Sequence, residues 1–207
     1  WTEDTLVSFA ADNGMGMGQH GIWGKGNGTF PMNMYESAVK VPFIISWPCF
    51  IKPGSVCCEL VSAYDLFPTL LELTGLSGRF PEGLPGKSFC GLLSGKEETR
   101  TGEIVIFDEY GPVRMIRDRE WKYIHRYPYG AHELYHLTDD PGETRNLYGM
   151  PEYEAKVLEL KKRMETWFLK YADPAVDGVR EGVTGSGQLC RPGIYAVRTD
   201  VYGPVGT

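Results

Sequence analysis

The chain reads as an α/β protein: part of a mixed sheet, followed by a small α+β subdomain in which an antiparallel sheet carries one long helix. Three observations point there. Residues 5–11, Thr-Leu-Val-Ser-Phe-Ala-Ala, form a short apolar run without polar alternation, the pattern of a strand buried on both faces. Between Glu103 and Leu137, short apolar segments alternate with turn signals, as in an antiparallel meander. Beyond them Tyr153, Val157, Leu160, Met164, Trp167, Phe168 and Tyr171 recur at helical spacing, with charges on the opposite face.

The first strand ends at Asp12. Residues 13–40 are rich in Gly, Met and Asn and show little periodicity, which predicts a long loop with at most a helical turn. A loop of that length inside a compact domain is usually functional. Val41 to Trp47 is a second apolar strand, closed by Pro48. Asp65 caps a predicted helix that runs to Thr74, with Pro68 in its first turn, Gly75 as its stop and Leu66, Phe67, Leu70, Leu71 and Leu73 as its apolar stripe. Residues 75–102 hold many Gly, Pro and Ser and read as a linking segment. Two domains are therefore expected, 1–100 and 101–207. In the second, strands are predicted at 103–107, 113–117, 121–126 and 133–137, with turns at Gly111-Pro112, Asp118-Arg119 and Pro128-Tyr129-Gly130. A further turn at Asp139-Asp140-Pro141-Gly142 leads to the long helix, which covers the meander. The tail from Asp173 is loop-like.

With 207 residues and 42% hydrophobic content the chain can bury a real core. Its net charge of −6 argues against nucleic acid as a partner, because phosphate binding needs a basic face. No run approaches the roughly 18 apolar residues of a membrane span. The start, Trp1-Thr2-Glu3-Asp4, has neither Met nor a signal-peptide pattern and runs almost directly into a strand, so residues are expected upstream. The five cysteines (Cys49, Cys57, Cys58, Cys90 and Cys190) form no CxxC pair, which argues against a zinc ribbon or a redox motif. Adjacent Cys57 and Cys58 would point to opposite faces of a strand as small apolar fillers. Compartment does not follow from them.

Three motifs carry possible chemistry. His132-Glu133-Leu134-Tyr135-His136 matches H-E-x-x-H, the zinc-protease signature, which requires a helix so that both histidines share a face. The flanking pattern is that of a strand, and four residues along a strand separate the two histidines by about 13 Å. The match is therefore read as chance. A phosphate loop at Gly24-Lys25 fails because Gln19 stands where glycine is needed and Gly26 where Ser or Thr is needed. The third is Asp12-Asn13-Gly14 with Lys25 in Gly21-Ile22-Trp23-Gly24-Lys25-Gly26. Asp12 sits where an apolar strand ends, and ligand sites of α/β sheets cluster at the carboxyl ends of strands. Asp and Asn supply hard oxygen ligands suited to calcium or magnesium, though two are too few for calcium, which takes about six to eight oxygens. Lys25 adds a charge able to hold an anionic oxygen. The plain alternative is an Asp-Asn-Gly turn and a solvated lysine.

These residues, with their order along the chain, resemble the latter half of sulfatases of the arylsulfatase type, members of the alkaline phosphatase-like superfamily. The likeness rests on Asp4-Thr5-Leu6-Val7, Asp12-Asn13-Gly14, His20-Gly21-Ile22-Trp23-Gly24-Lys25, Val41-Pro42-Phe43-Ile44-Ile45 and Trp47-Pro48. It continues through Asp65-Leu66-Phe67-Pro68-Thr69-Leu70-Leu71, Trp121-Lys122-Tyr123-Ile124, Glu133-Leu134-Tyr135, Asp140-Pro141-Gly142-Glu143-Thr144 and Asn146-Leu147, and so covers most of residues 4–171. The resemblance implies that Asp12 and Asn13 ligate a divalent metal, usually calcium. It implies that Lys25 contacts the sulfate ester and helps neutralise or protonate the departing oxygen. His20 shares the loop and is a second candidate to face the substrate, the alternative being a histidine that stabilises the loop.

One departure matters more. Family members carry an upstream Cys-x-Pro-x-Arg motif, or a close variant, whose Cys or Ser becomes the formylglycine nucleophile, and none of the five cysteines fits it. Ser46-Trp47-Pro48 begins like the serine form, but Phe50 stands in place of the arginine. The family's first metal-binding aspartates have no counterpart either. The chain is thus expected to be the C-terminal part of a sulfatase, inactive alone, with the nucleophile and most metal ligands on a missing N-terminal segment. A central strand cut from a large sheet exposes apolar faces, so without that segment the chain should aggregate or form homo-oligomers. The substrate is expected to be a sulfate ester, either a small molecule or a sulfated sugar. A phosphonate or phosphodiester hydrolase of the same superfamily is the nearest rival. Such enzymes often carry His where Asn13 stands, which favours sulfate. A non-catalytic sulfatase-like binding module is the rival from another class.

Overall fold

The computed structural model describes residues 3–96, 100, 102–108, 111–127 and 130–180. Two compact units result. The first runs to Gly28 and resumes from Tyr35 to Ile104; the second takes Thr29–Met34 and the described chain from Val105. Cys190 and the end of the tail, like Pro128 and Tyr129 of the predicted turn, lie outside the described residues.

The first unit contains strands β1 (Val7–Ala10), β2 (Gly16–Met17) and β3 (Trp23–Gly24), a helical turn α1 (Glu36–Val39), strand β4 (Phe43–Ser46), helix α2 (Leu66–Leu73) and a helical turn α3 (Cys90–Leu93). β1 and β4 pair antiparallel, with Val7 opposite Ser46 and Ala10 opposite Phe43. The expectation that β1 is buried on both faces does not hold here: Val7 is 61%, Phe9 63% and, on β4, Ile44 62% exposed. Val7, Phe9 and Ile44 share one face of the two-stranded ribbon, and no described element packs over that face. Cys57 and Cys58 are likewise exposed and lie outside any strand, so they are loop thiols rather than core fillers.

Asp65 does more than start a helix. It is buried, and its carboxylate accepts the backbone N–H of Ser62 at 3.0 Å and of Lys87 at 2.8 Å, and pairs with Arg100 at 2.8 Å. One turn on, Thr69 donates to the Asp65 carbonyl at 2.7 Å and accepts the Phe89 N–H at 3.0 Å. The stretch read as a linker is therefore docked at α2, because the buried side chains of Asp65, just before the helix, and Thr69, within it, satisfy its backbone.

The second unit is a four-stranded meander, β5 (Ile104–Phe107), β6 (Val113–Arg117), β7 (Trp121–Arg126) and β8 (Glu133–His136), followed by helix α4 (Glu154–Tyr171). Strand alternation divides its side chains. Ile116, Tyr123 and Leu134 face α4, and with Leu160, Met164 and Phe168, one helical turn apart, they form the core. Lys122, Ile124 and Arg126 take the other face of β7, where Thr29–Met34 lies as a strap. The Lys122 ammonium donates to the Met34 carbonyl at 2.9 Å, and the Arg126 guanidinium to the Met32 carbonyl at 3.1 Å.

Candidate functional site

Asp12 is exposed just past the end of β1, and Asn13 beside it is half-buried. One carboxylate oxygen of Asp12 accepts the Asn13 backbone N–H at 2.8 Å. That leaves its other oxygen and the Asn13 amide oxygen as neighbouring hard donors. By type both are hard oxygen donors, and two are too few to complete the shell of a hard cation. Among the described residues no group of three or more His, Cys, Asp or Glu is placed to hold a metal.

Gly14 explains why the loop leaves the sheet at this point. Its N–H donates to the Ala38 carbonyl at 2.8 Å, and a Cβ there would lie 2.2 Å from the Ser37 carbonyl oxygen. Residues 14–38 thus form an excursion closed at its neck, with Asp12 and Asn13 just outside the neck. Gly14→Ala is expected to force the two backbones apart and to cost about 1–3 kcal/mol, as overpacking against a rigid neighbour does. Urea denaturation checks this; an unchanged midpoint would show that the neck yields freely.

Inside the excursion β2 and β3 form a small hairpin, with Gly16 opposite Gly24 and Met17 opposite Trp23. Its connection holds His20 at a φ of 55°, and the imidazole stacks on Tyr35 at 3.8 Å with the rings 5° from parallel. The pairing returns Lys25 to the segment that follows Asn13. Lys25 is exposed, its carbonyl accepts the Gly28 N–H at 2.8 Å, and its ammonium has no ion-pair partner among the described residues. The fold thus carries Asp12, Asn13, His20 and Lys25 on a single neck-and-hairpin element. Two oxygen donors stand at one end, and a free cation and an imidazole are carried on the loop.

Four of the five H-E-x-x-H residues, Glu133–His136, form β8 and His132 directly precedes it, in keeping with the strand patterning. His136 pairs with Asp139 at 2.7 Å, whereas His132 stacks on His125 with centroids 4.0 Å apart, so the two histidines have different surroundings.

The buried polar groups of the meander were not anticipated. Lys122 and Glu143 form an ion pair at 2.7 Å with their side chains 0% and 2% exposed. Arg126 pairs with Glu133 at 2.8 Å. On the α4 side, His125 is buried and its Nδ1 lies 2.6 Å from the Tyr123 hydroxyl. Burial, then the neighbouring His132, Lys161 and Arg114, push the His125 pKa down to about 3. Burial also lowers that of His132 and raises those of Tyr123 and Tyr127. A signal was available: Lys122, His125 and Arg126 interrupt an otherwise apolar strand, and charges so placed need partners.

The antiparallel β1–β4 ribbon with α2 and the four-stranded meander followed by α4 make an α/β fold, and its solved neighbours include sulfatases of alkaline phosphatase-like structure. Comparison with known proteins gives the family. The family model "N-sulphoglucosamine sulphohydrolase, C-terminal" matches residues 18–170. An ulvan-active sulfatase of Formosa agariphila is 32% identical over 208 residues, covering 83% of this chain and 39% of that protein. Among solved structures, BT4656 in complex with its substrate D-glucosamine-2-N,6-O-disulfate superposes with a TM-score of 0.71 at 26% identity, over 87% of this chain and 37% of that one. The phosphonate monoester hydrolase of Agrobacterium radiobacter superposes with a TM-score of 0.66 at 26% identity, over 83% of this chain and 36% of that one. The chain belongs to the sulfatase family and corresponds to its C-terminal part. It spans 39% of the length of the ulvan-active relative.

Proposed function

We propose that this chain is one wall of the active site of a sulfate-ester hydrolase. Asp12 and Asn13 would hold a divalent cation, calcium being the usual ion, and Lys25, with His20, would hold the sulfate. The bound cation would supply Lewis-acid stabilisation of charge on the sulfuryl oxygens. Lys25 would add a fixed positive charge beside the ester oxygen and lower the cost of its departure as an alkoxide or phenoxide. The formylglycine nucleophile and the remaining ligands would come from the N-terminal part of the same protein. Sulfated sugars are the favoured substrate class, since a structural relative is described with a disulfated glucosamine. The observation that carries the reading is the element just described: an exposed Lys25 with no ion-pair partner among the described residues, and a stacked His20, on a loop whose neck is flanked by Asp12 and Asn13.

The phosphonate monoester hydrolase fold match keeps a second reading in view. The test uses the full-length protein containing this chain, assayed on an aryl sulfate and on a phosphonate monoester. Lys25→Ala is expected to lower sulfate-ester kcat by about 10²–10³-fold, the usual consequence of removing one preorganised charge-stabilising group. The 207-residue chain alone is expected to show no turnover. Faster cleavage of the phosphonate would favour the second reading. Unchanged activity in the Lys25 variant would sink both.

A further inference from the structure

We infer that Tyr35 is a positioning residue for His20: its ring holds the imidazole by one face and leaves both ring nitrogens for an anionic oxygen of the substrate. The inference rests on the proposed role of His20 in holding the sulfate. His20 is exposed, and its φ of 55° lies in the left-handed region. Glycine adopts that conformation without steric cost, so the turn itself does not call for an imidazole. Backbone hydrogen bonds close the turn: the Gly18 N–H donates to the Ile22 carbonyl at 2.9 Å, Gly21 to Gly18 at 3.0 Å and Ile22 to Gln19 at 2.9 Å. A histidine that braces a loop does so by hydrogen bonds from its nitrogens. Among the described residues neither ring nitrogen of His20 makes a hydrogen bond or an ion pair. What fixes the ring is the parallel stack on Tyr35, with centroids 3.8 Å and planes 5° apart.

Tyr35 is itself well anchored. It is half-buried and stands at the start of α1. Its carbonyl accepts the N–H groups of Ala38 at 2.8 Å and Val39 at 3.0 Å, and the carbonyl of buried Ala38 accepts the Gly14 N–H at 2.8 Å. The turn that carries the tyrosine ring is thus the one that closes the neck. His20, Tyr35 and Gly14 all belong to the first unit. An imidazole N–H donates in the plane of its ring, and a stack on the ring face does not compete with that bond. It does remove rotamers that would swing the nitrogens away, so less ordering remains to be done when an anion binds.

The experiment separates positioning from simple structural support. In the full-length enzyme acting on an aryl sulfate, Tyr35→Leu removes the aromatic face and should lower kcat/KM by about 10–100-fold, the scale that a misplacement of about 1 Å produces. Tyr35→Phe keeps the face and should stay within about threefold of the native enzyme. In a His20→Ala background the further loss from Tyr35→Leu should shrink to less than about threefold, because groups that act through one another are not additive. In histidine-labelled protein, the His20 ring-proton signals should be shifted upfield by the tyrosine ring, keep that position in Tyr35→Phe and lose it in Tyr35→Leu. An undiminished loss in the His20→Ala background overturns the inference, as does a Phe variant as poor as the Leu variant or an unmoved His20 signal. Native activity in His20→Ala alone overturns the reading of His20 as a sulfate-holding residue instead, and the inference falls with it. Should Tyr35→Leu not fold, Tyr35→Met removes the ring with a more adaptable side chain, and the same outcomes decide.

Discussion

Lys122→Met alone is expected to lower the unfolding free energy by about 3–5 kcal/mol, the cost of stranding one partner of a buried ion pair. The two side chains are 0% and 2% exposed and their charged atoms stand 2.7 Å apart. Methionine preserves most of the aliphatic stem and volume, so the loss is not one of cavity formation. What remains is a buried Glu143 carboxylate that has lost the Lys122 ammonium, and a Met34 carbonyl that has lost it as well. Adding Glu143→Met removes the stranded charge and should restore stability to within about 1–2 kcal/mol of the starting protein, the residue being the hydrogen bond to Met34. Urea unfolding of the single and double variants measures both steps. Equal destabilisation in the two would mean that packing rather than charge is responsible. A single-variant effect below about 1 kcal/mol would mean that water reaches Glu143.

How much of this could be read from the residues depended on range. The meander was legible because each strand carries its own alternation and each turn its own Gly, Pro or Asp, and both signals are local. The same holds for α4, whose Leu160, Met164 and Phe168 fall on one stripe. The site residues were visible as types, since a carboxylate and an amide at a strand end and a glycine-flanked lysine are unusual company. What was hidden depends on partners far away in the chain. Nothing near Asp65 announces that it will satisfy Lys87 and Arg100, and nothing near Lys122 points to Met34 and Glu143. The openness of β1 is hidden in the sequence for a related reason. An apolar run reports what a strand is suited to pack against, not whether those neighbours are present. The segment 13–40 reads as a loop because two-residue strands and a stacked His20–Tyr35 pair leave no periodic trace.

Acidification below about pH 6.5 is expected to destabilise the second unit through His125. The folded-state pKa of about 3 lies below the ordinary histidine value of 6.5. The unfolded chain therefore takes up a proton that the folded chain refuses. Stability from the neutral imidazole is fully present above pH 6.5 and is lost progressively as pH falls towards 3, at up to about 1.4 kcal/mol per pH unit. Between pH 6.5 and 5 that amounts to about 2 kcal/mol, and over the whole window to about 4–5 kcal/mol. The geometry supplies the cause. His125 is enclosed, and Nδ1 can accept from the Tyr123 hydroxyl only while the ring is neutral. His132 lies parallel at 4.0 Å, and Lys161, Arg114 and Arg126 add positive charge around the two rings. Tyr127 and Tyr148 complete the aromatic wall, and Glu165, which contacts Tyr127 at 3.4 Å, is the acid on the facing helix. His132, also shifted down, acts with the same sign. His125→Gln removes the titrating group while keeping a neutral acceptor for Tyr123. The unfolding free energy of this variant between pH 5 and 7 should be flatter than that of the native sequence. Parallel pH profiles for the two proteins would show that His125 is charged or solvated in the folded state and would refute the assignment.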